Sequence, residues 1–216
     1  MTIKAFIFDL DGVITDTAEF HFLAWKQLAD EIGVSFTRED NDQLRGVSRR
    51  ESLKRLLKGR PVDEATAEVW MQRKNDIYRE FLHQITPADS LPGVVHFLDE
   101  ARKRGILIGL GSASKNARDV IERLKLMDYF EALGDGYSVV NPKPAPDLFI
   151  WVAGRLGVPP NEAVVFEDAE AGVDAALKGG FWTVGLGRAG VNAAHLVKED
   201  GLKTLTVDAV LEVASG

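Results

Sequence analysis

The chain has 216 residues, enough for one sizeable domain or for a core carrying a smaller insert. Its 45% hydrophobic and 27% charged residues describe an ordinary globule, and a formal net charge of −7 argues against a broad basic surface for nucleic acid. No apolar run approaches the roughly 18 residues of a membrane span, and zero cysteines exclude disulfides, thiol catalysis and thiolate zinc sites.

In chain order, the opening residues run straight into a strand pattern rather than a secretory signal, so a cytoplasmic location is expected. This first element, 5–10, is an apolar run that reads as a buried strand and leads into Asp9 and Asp11. Two carboxylates that close repel each other, and their desolvation is costly unless positive charge is shared between them. From 15 to 87 no strand pattern follows; segments of helical period read at 18–32, 38–44, 49–58 and 63–84. This stretch holds 12 basic and 13 acidic residues, against 14 and 20 in the remainder. It is expected to be a helical insert, 15–87, within a core made of 1–14 and 88–216. The turn-rich TPADSLPG at 86–93 would bring the chain back.

Alternation then resumes. Helical periods at 93–104, 115–126, 147–156 and 169–179 separate apolar strands at 106–112, 163–167 and 181–187, with weaker strands at 132–135 and 204–207. Apolar strands alternating with helices predict an α/β fold, a Rossmann-like and mainly parallel sheet covered on both faces. Internal repeats are absent. GLGSAS at 109–114 superficially resembles a dinucleotide fingerprint, but it follows the second strand and lacks the third glycine.

Sheets of this kind bind ligands at the carboxyl ends of their strands, and the polar residues of the chain collect there. Asp9 and Asp11 end the first strand, GSASKN (111–116) the second, and FEDAEAG (166–172) the fourth, while PKPAPD (142–147) precedes a helix. Each has a plainer meaning alone: Asp-Gly is a common turn, and GSAS a common helix cap. Together they bring four carboxylates, a lysine, hydroxyls and helix N-terminal amides to one crevice. Asp9, Asp11, Glu167 and Asp168 offer hard oxygens suited to Mg²⁺ rather than Zn²⁺. Ser112 or Ser114, Lys143 and the amides would hold a phosphate. A carboxylate beside both is a nucleophile toward phosphorus, and a second one two residues on can move a proton.

DLDGVITDT, GSASKN, KPAPD and FEDAEAG resemble the four signature segments of the haloacid dehalogenase superfamily of phosphotransferases. The resemblance spans nearly the whole chain, because the insert sits where that superfamily carries a small helical cap domain. Within the insert, TDTAEFHFLAWKQLADEIG, RGVSRRESL and RKNDIY, followed by TPADSLPG, resemble its sugar-phosphate mutases, which interconvert β-glucose 1-phosphate and glucose 6-phosphate. The resemblance implies that Asp9 is the nucleophile that becomes an aspartyl phosphate. Asp11 would be the acid–base, also offering its backbone carbonyl to Mg²⁺, and Glu167 and Asp168 would complete the metal site with Asp9. Ser112 and Lys143 would hold the transferring phosphoryl group. Arg49, in the loop Gly46, Val47, Ser48, would grip the sugar's other phosphate, with Ser114, Lys115 and Asn116 across the cleft. Thr17, His21 and Lys74 match positions that orient or sense the substrate.

By spacing alone, His21, Trp25, Leu28 and Ile32 form one helical packing face; the resemblance makes His21 and Trp25 substrate contacts. His83, His96 and His195 read as structural, and Arg50 as a solvated charge. Three functional readings stay open: a mutase, a sugar-phosphate phosphatase or phosphonatase-like relative using the same nucleophile, and a phosphosugar-binding protein on an inactive scaffold. Asp11 together with the GVSR loop favours the mutase. The expected partner is a small phosphosugar, with no nucleic acid and no membrane, and the chain is expected to act as a monomer.

Overall fold

Six strands form one sheet in the computed structural model, which describes residues 2–44, 46–187 and 191–215. They are β1 (Ala5–Phe8), β2 (Leu107–Gly111), β3 (Ala132–Gly134), β4 (Ala163–Glu167), β5 (Trp182–Leu186) and β6 (Leu196–Lys198). Their order is β3-β2-β1-β4-β5-β6, and every neighbouring pair is parallel. The central strands β1 and β4 are buried along their whole length, which explains their unbroken apolar runs.

Helices cover both faces. The segments α5 (Val94–Lys103), α6 (Ala117–Arg123) and α9 (Val207–Ser215) contribute Val94, Phe97, Val120, Ile121 and Val210 to one cluster with Phe6, Phe8 and Phe166. There the Phe8 and Phe166 rings stack at 4.5 Å. On the other face, α7 (Asp147–Leu156) and α8 (Glu170–Lys178) pack Phe149, Val152 and Ala176 against Ile7 and Val165. The strand expected at 204–207 is not formed. Thr206 instead caps α9, its hydroxyl accepting the Ala209 amide at 3.2 Å. The sixth strand lies at 196–198 on the sheet edge, where burial is only partial and the apolar signal correspondingly weak.

Between β1 and β2 run α1 (Ala18–Glu31), α2 (Arg38–Asp42), α3 (Arg49–Leu56) and α4 (Glu64–Leu82). Their starts are set locally: Thr37 and Asp40 form a capping box, and Ser48 and Asp63 cap α3 and α4. Trp25, Leu28, Phe36, Leu53, Leu56 and Met71 give these helices a cluster of their own. Ala24, Ile77, Tyr78 and Leu82 at the base join the sheet-side cluster instead. The chain enters and leaves this region through two adjacent segments: the Leu91 amide donates to the Ile14 carbonyl at 2.9 Å, and the Thr15 hydroxyl to the Asp89 carbonyl at 2.7 Å. Among the described residues no helix is long and apolar enough to cross a membrane.

The closeness of α7 to the sheet depends on a missing side chain. A Cβ on Gly109 would stand 2.5 Å from Val152 Cγ1 and 3.1 Å from Leu156 Cδ1. Gly109→Val should therefore overpack this layer and cost about 1–3 kcal/mol. Thermal unfolding would register it as a drop of roughly 2–4 °C per kcal/mol; an unchanged Tm would refute so close an approach.

Candidate active site

Strands β1 and β4 lie side by side with Phe8 opposite Phe166. Asp9 and Glu167 therefore leave the sheet together, and the Asp9 amide donates to the Phe166 carbonyl at 2.9 Å. The segment before α7 delivers Lys143, whose peptide bond to Pro144 is cis. Its Nζ donates to Asp9 Oδ1 and to Glu167 Oε1, each at 2.5 Å. All three side chains are buried. Burial disfavours the ammonium, but the Asp9 and Glu167 carboxylates outweigh it and hold Lys143 above its ordinary value, so it stays charged. Glu167 Oε2 also accepts the Ala169 amide at 2.9 Å.

Asp9, Glu167 and Asp168 offer carboxylate oxygens that all lie within 4.8 Å of one another. Close-set carboxylate oxygens, with no imidazole or thiolate among them, fit a hard divalent cation of the Mg²⁺ kind. Asp11 stands apart from this group. Its Oδ1 accepts the Thr17 hydroxyl, which in turn accepts the Tyr78 hydroxyl at 3.2 Å. Burial first, then repulsion from Asp9, push the Asp11 carboxyl up to about 7, with the Thr17 bond opposing. Such a group can give or take a proton near neutrality.

Facing them is a second cluster from the helical segment. Arg49 Nη2 donates to Asn75 Oδ1 at 2.8 Å, and Asn116 Nδ2, from beyond β2, donates to the same oxygen at 2.9 Å. Burial lowers Arg49 from its ordinary value. Lys74 Nζ lies 2.7 Å from His21 Nδ1, and the His21 ring stacks on Tyr78 at 4.2 Å. Burial, reinforced by the charges of Lys74 and Arg49, holds His21 well below the usual imidazole range, so the ring that shares a hydrogen bond with Lys74 is neutral. Lys74 is depressed too, by burial and then Arg49, and its Nζ sits 5.1 Å from the Trp25 ring.

One cavity joins the two clusters. Asp9, Asp11, Asp168, Ser112, Ser114, Lys115 and Asn116 line it from the sheet side, and His21, Trp25, Gly46, Val47, Arg49 and Lys74 from the helices. The remaining expected residues lie elsewhere. Lys143 and Glu167 are buried against Asp9, Thr17 is bonded to Asp11, and Ser48 accepts the Glu51 amide at 3.3 Å as the cap of α3. In the loop after β2, the Ser114 amide donates to Ser112 Oγ at 3.1 Å and the Asn116 amide to Ser114 Oγ at 3.2 Å. Those two amides thus serve the loop. Arg50 is exposed but ion-paired with Glu64 and Glu68. The His195 ring, away from the cavity, accepts the Thr183 amide at 3.1 Å.

Asn41, Ser52, Asn75 and Tyr78 also belong to this region and were not singled out from sequence. A signal existed for Asn75: with Lys74 it interrupts the buried stripe of α4 formed by Ala67, Met71, Tyr78 and Leu82. A polar pair on an apolar stripe marks a broken local rule, and such breaks gather at functional sites.

The haloacid dehalogenase-like hydrolase family model matches residues 3–180. Beta-phosphoglucomutase of Bacillus subtilis is 44% identical over 189 residues, covering 86% of this chain and 84% of that protein. A phosphorylated carbohydrates phosphatase of Thermotoga maritima is 31% identical over 180 residues, covering 82% of each. The crystal structure of beta-phosphoglucomutase from Clostridium difficile superposes with a TM-score of 0.95 at 37% identity, covering 99% of this chain and 98% of that one. With its parallel sheet, its helical insertion after β1 and its carboxylates at the ends of β1 and β4, the chain belongs to the haloacid dehalogenase-like hydrolase family.

Proposed function

We propose that the chain isomerises β-D-glucose 1-phosphate to glucose 6-phosphate through an aspartyl phosphate on Asp9 and glucose 1,6-bisphosphate. The observation that carries this reading is the pair of phosphate-attracting poles at one cavity: Asp9, which lines it with the buried Lys143 bonded behind, and Arg49 with Asn116 opposite. A phosphatase acting on a monophosphate needs one anion site. A bisphosphate intermediate, which must present either end to the nucleophile, needs two.

In the proposed reaction Asp9 attacks phosphorus, and the phosphoryl group later passes from Asp9 to a sugar hydroxyl. Asp11 takes the proton of that hydroxyl as the new P–O bond forms, and returns one when the bond breaks. Lys143 and Ser112 hold the transferring phosphoryl group, while the planar fork of Arg49, aided by Ser114, Lys115 and Asn116, suits the other phosphate. His21, Trp25, Lys74 and the Gly46–Val47–Ser48 loop would orient the sugar. Mg²⁺ on Asp9, Glu167 and Asp168, with the Asp11 carbonyl, would neutralise charge on the phosphoryl oxygens. The segment 15–87 acts in this reading as a cap that excludes water from the aspartyl phosphate. In this reading the chain acts as a monomer on a phosphosugar.

A coupled assay on β-glucose 1-phosphate with Mg²⁺ decides the matter. Catalytic glucose 1,6-bisphosphate should prime glucose 6-phosphate formation with little phosphate released; stoichiometric phosphate would establish a phosphatase instead. Asp9→Asn should form no acid-stable phosphoenzyme detectable by mass spectrometry. Asp11→Asn should lower kcat by about 10²–10⁴-fold, the usual range of proton-transfer catalysis, while Mg²⁺ titrations stay close to wild type. Chelation with EDTA should stop turnover, and added Mg²⁺ should restore it.

A further inference from the structure

Asn75 has no part in the mechanism just described, yet it lies where the helical segment meets the sheet domain. It is carried by α4, is 9% exposed, and its Oδ1 accepts from Arg49 Nη2 at 2.8 Å and from Asn116 Nδ2 at 2.9 Å. Arg49 begins α3 and Asn116 precedes α6, so one oxygen ties two helices of the insert to the loop after β2. We infer that Asn75 is a positioning residue with two tasks: it aims the Arg49 fork at the distal phosphate, and it holds the insert against the sheet domain. The inference rests on the proposed mutase reaction and extends it.

The chemistry of the side chain fits both tasks. An amide oxygen accepts two hydrogen bonds without a formal charge. It can orient a guanidinium while leaving its positive charge for a phosphate. A carboxylate there would form an ion pair with Arg49 and compete with the substrate. A shorter apolar side chain would release both donors and open a hydrogen-bonded contact between insert and sheet domain. Water could then reach the phosphoenzyme, add to phosphorus and break the P–O bond to Asp9. Inorganic phosphate would leave, the Asp9 carboxylate would be restored, and the proton from water would pass to Asp11 or solvent.

Two substitutions separate the tasks, read by two quantities: KM for β-glucose 1-phosphate, and phosphate released per glucose 6-phosphate formed. Asn75→Ala should raise KM about tenfold or more, the scale of a hydrogen bond to a charged group, and should raise the released share several-fold. Asn75→Asp keeps both acceptor bonds, so the released share should stay at the wild-type value while KM rises at least as far. A purely structural role would move both variants alike. Thermal unfolding checks that each variant is folded, and Asn75→Leu, close in volume, replaces the alanine variant if that fails to fold. A wild-type released share in Asn75→Ala, or an equal rise in Asn75→Asp, overturns the inference. Wild-type protein in the same assay distinguishes the two claims. If it forms no glucose 6-phosphate even when primed, the mutase reading falls and this inference with it; if it does, an unresponsive Asn75→Ala sinks the inference alone.

Discussion

The contact on which the rest of the structure depends is the buried ammonium of Lys143 between Asp9 and Glu167. Removing these three charges from water is expensive, and only close geometry with further hydrogen bonds offsets the cost. The fold supplies that geometry from three separate places. Pairing of β1 with β4 brings the two carboxylates together, and the stacked Phe8 and Phe166 rings sit one residue before them. The lysine arrives on a third segment, the one leading into α7. That helix packs closely over β2 and β3 because Gly109 and Gly134 present no side chain to it. Core packing far from any substrate thus governs where one Nζ atom lies.

Two aspartates only two residues apart end in different electrostatic settings. Asp9 faces Lys143 inside the sheet domain, whereas Asp11 is bonded to Thr17, itself bonded to Tyr78 of α4. The sheet domain therefore fixes the environment of the first carboxylate, and the helical segment that of the second. This division fits the distinct tasks proposed for them. A nucleophile must remain an anion, and a proton carrier must exist in both forms. It also links proton transfer to the seating of the helices, since moving the helical segment would carry the Thr17 hydroxyl away from Asp11.

Much of this was legible in the sequence because its signals are local. Unbroken apolar runs marked β1, β2, β4 and β5, and the 3.6-residue period marked α1–α4 and α7 to within a few residues. The sixth strand escaped because an edge strand is half exposed, and the β-like residues at 204–207 proved to lead into a helix. The carboxylates could be gathered from sequence because a parallel sheet sends strand ends to one side. Relations between distant residues could not be read this way. The bond from Thr17 to Asp11 spans six positions, but Arg49 to Asn75 spans 26 and Asn75 to Asn116 spans 41. Those pairings depend on how α3, α4 and the loop after β2 meet, which no periodicity encodes.

The distal cluster is less cationic than its residue types suggest. Lys74 and His21 are both pushed toward their neutral forms by burial and by the nearby charge of Arg49. Arg49 is lowered as well, but from a starting value so high that it remains charged at neutral pH. Among the described residues, Arg49 therefore presents the firm positive charge to the cavity from the helices, flanked by weakened or neutral donors. In the proposed reaction this softness has a purpose. A bisphosphate that must turn within the cavity cannot be held equally hard at both ends. The pole at Asp9 captures the phosphoryl group covalently, whereas the pole at Arg49 must release its phosphate for the second transfer. An orientable guanidinium held by a neutral amide supplies direction without excess grip.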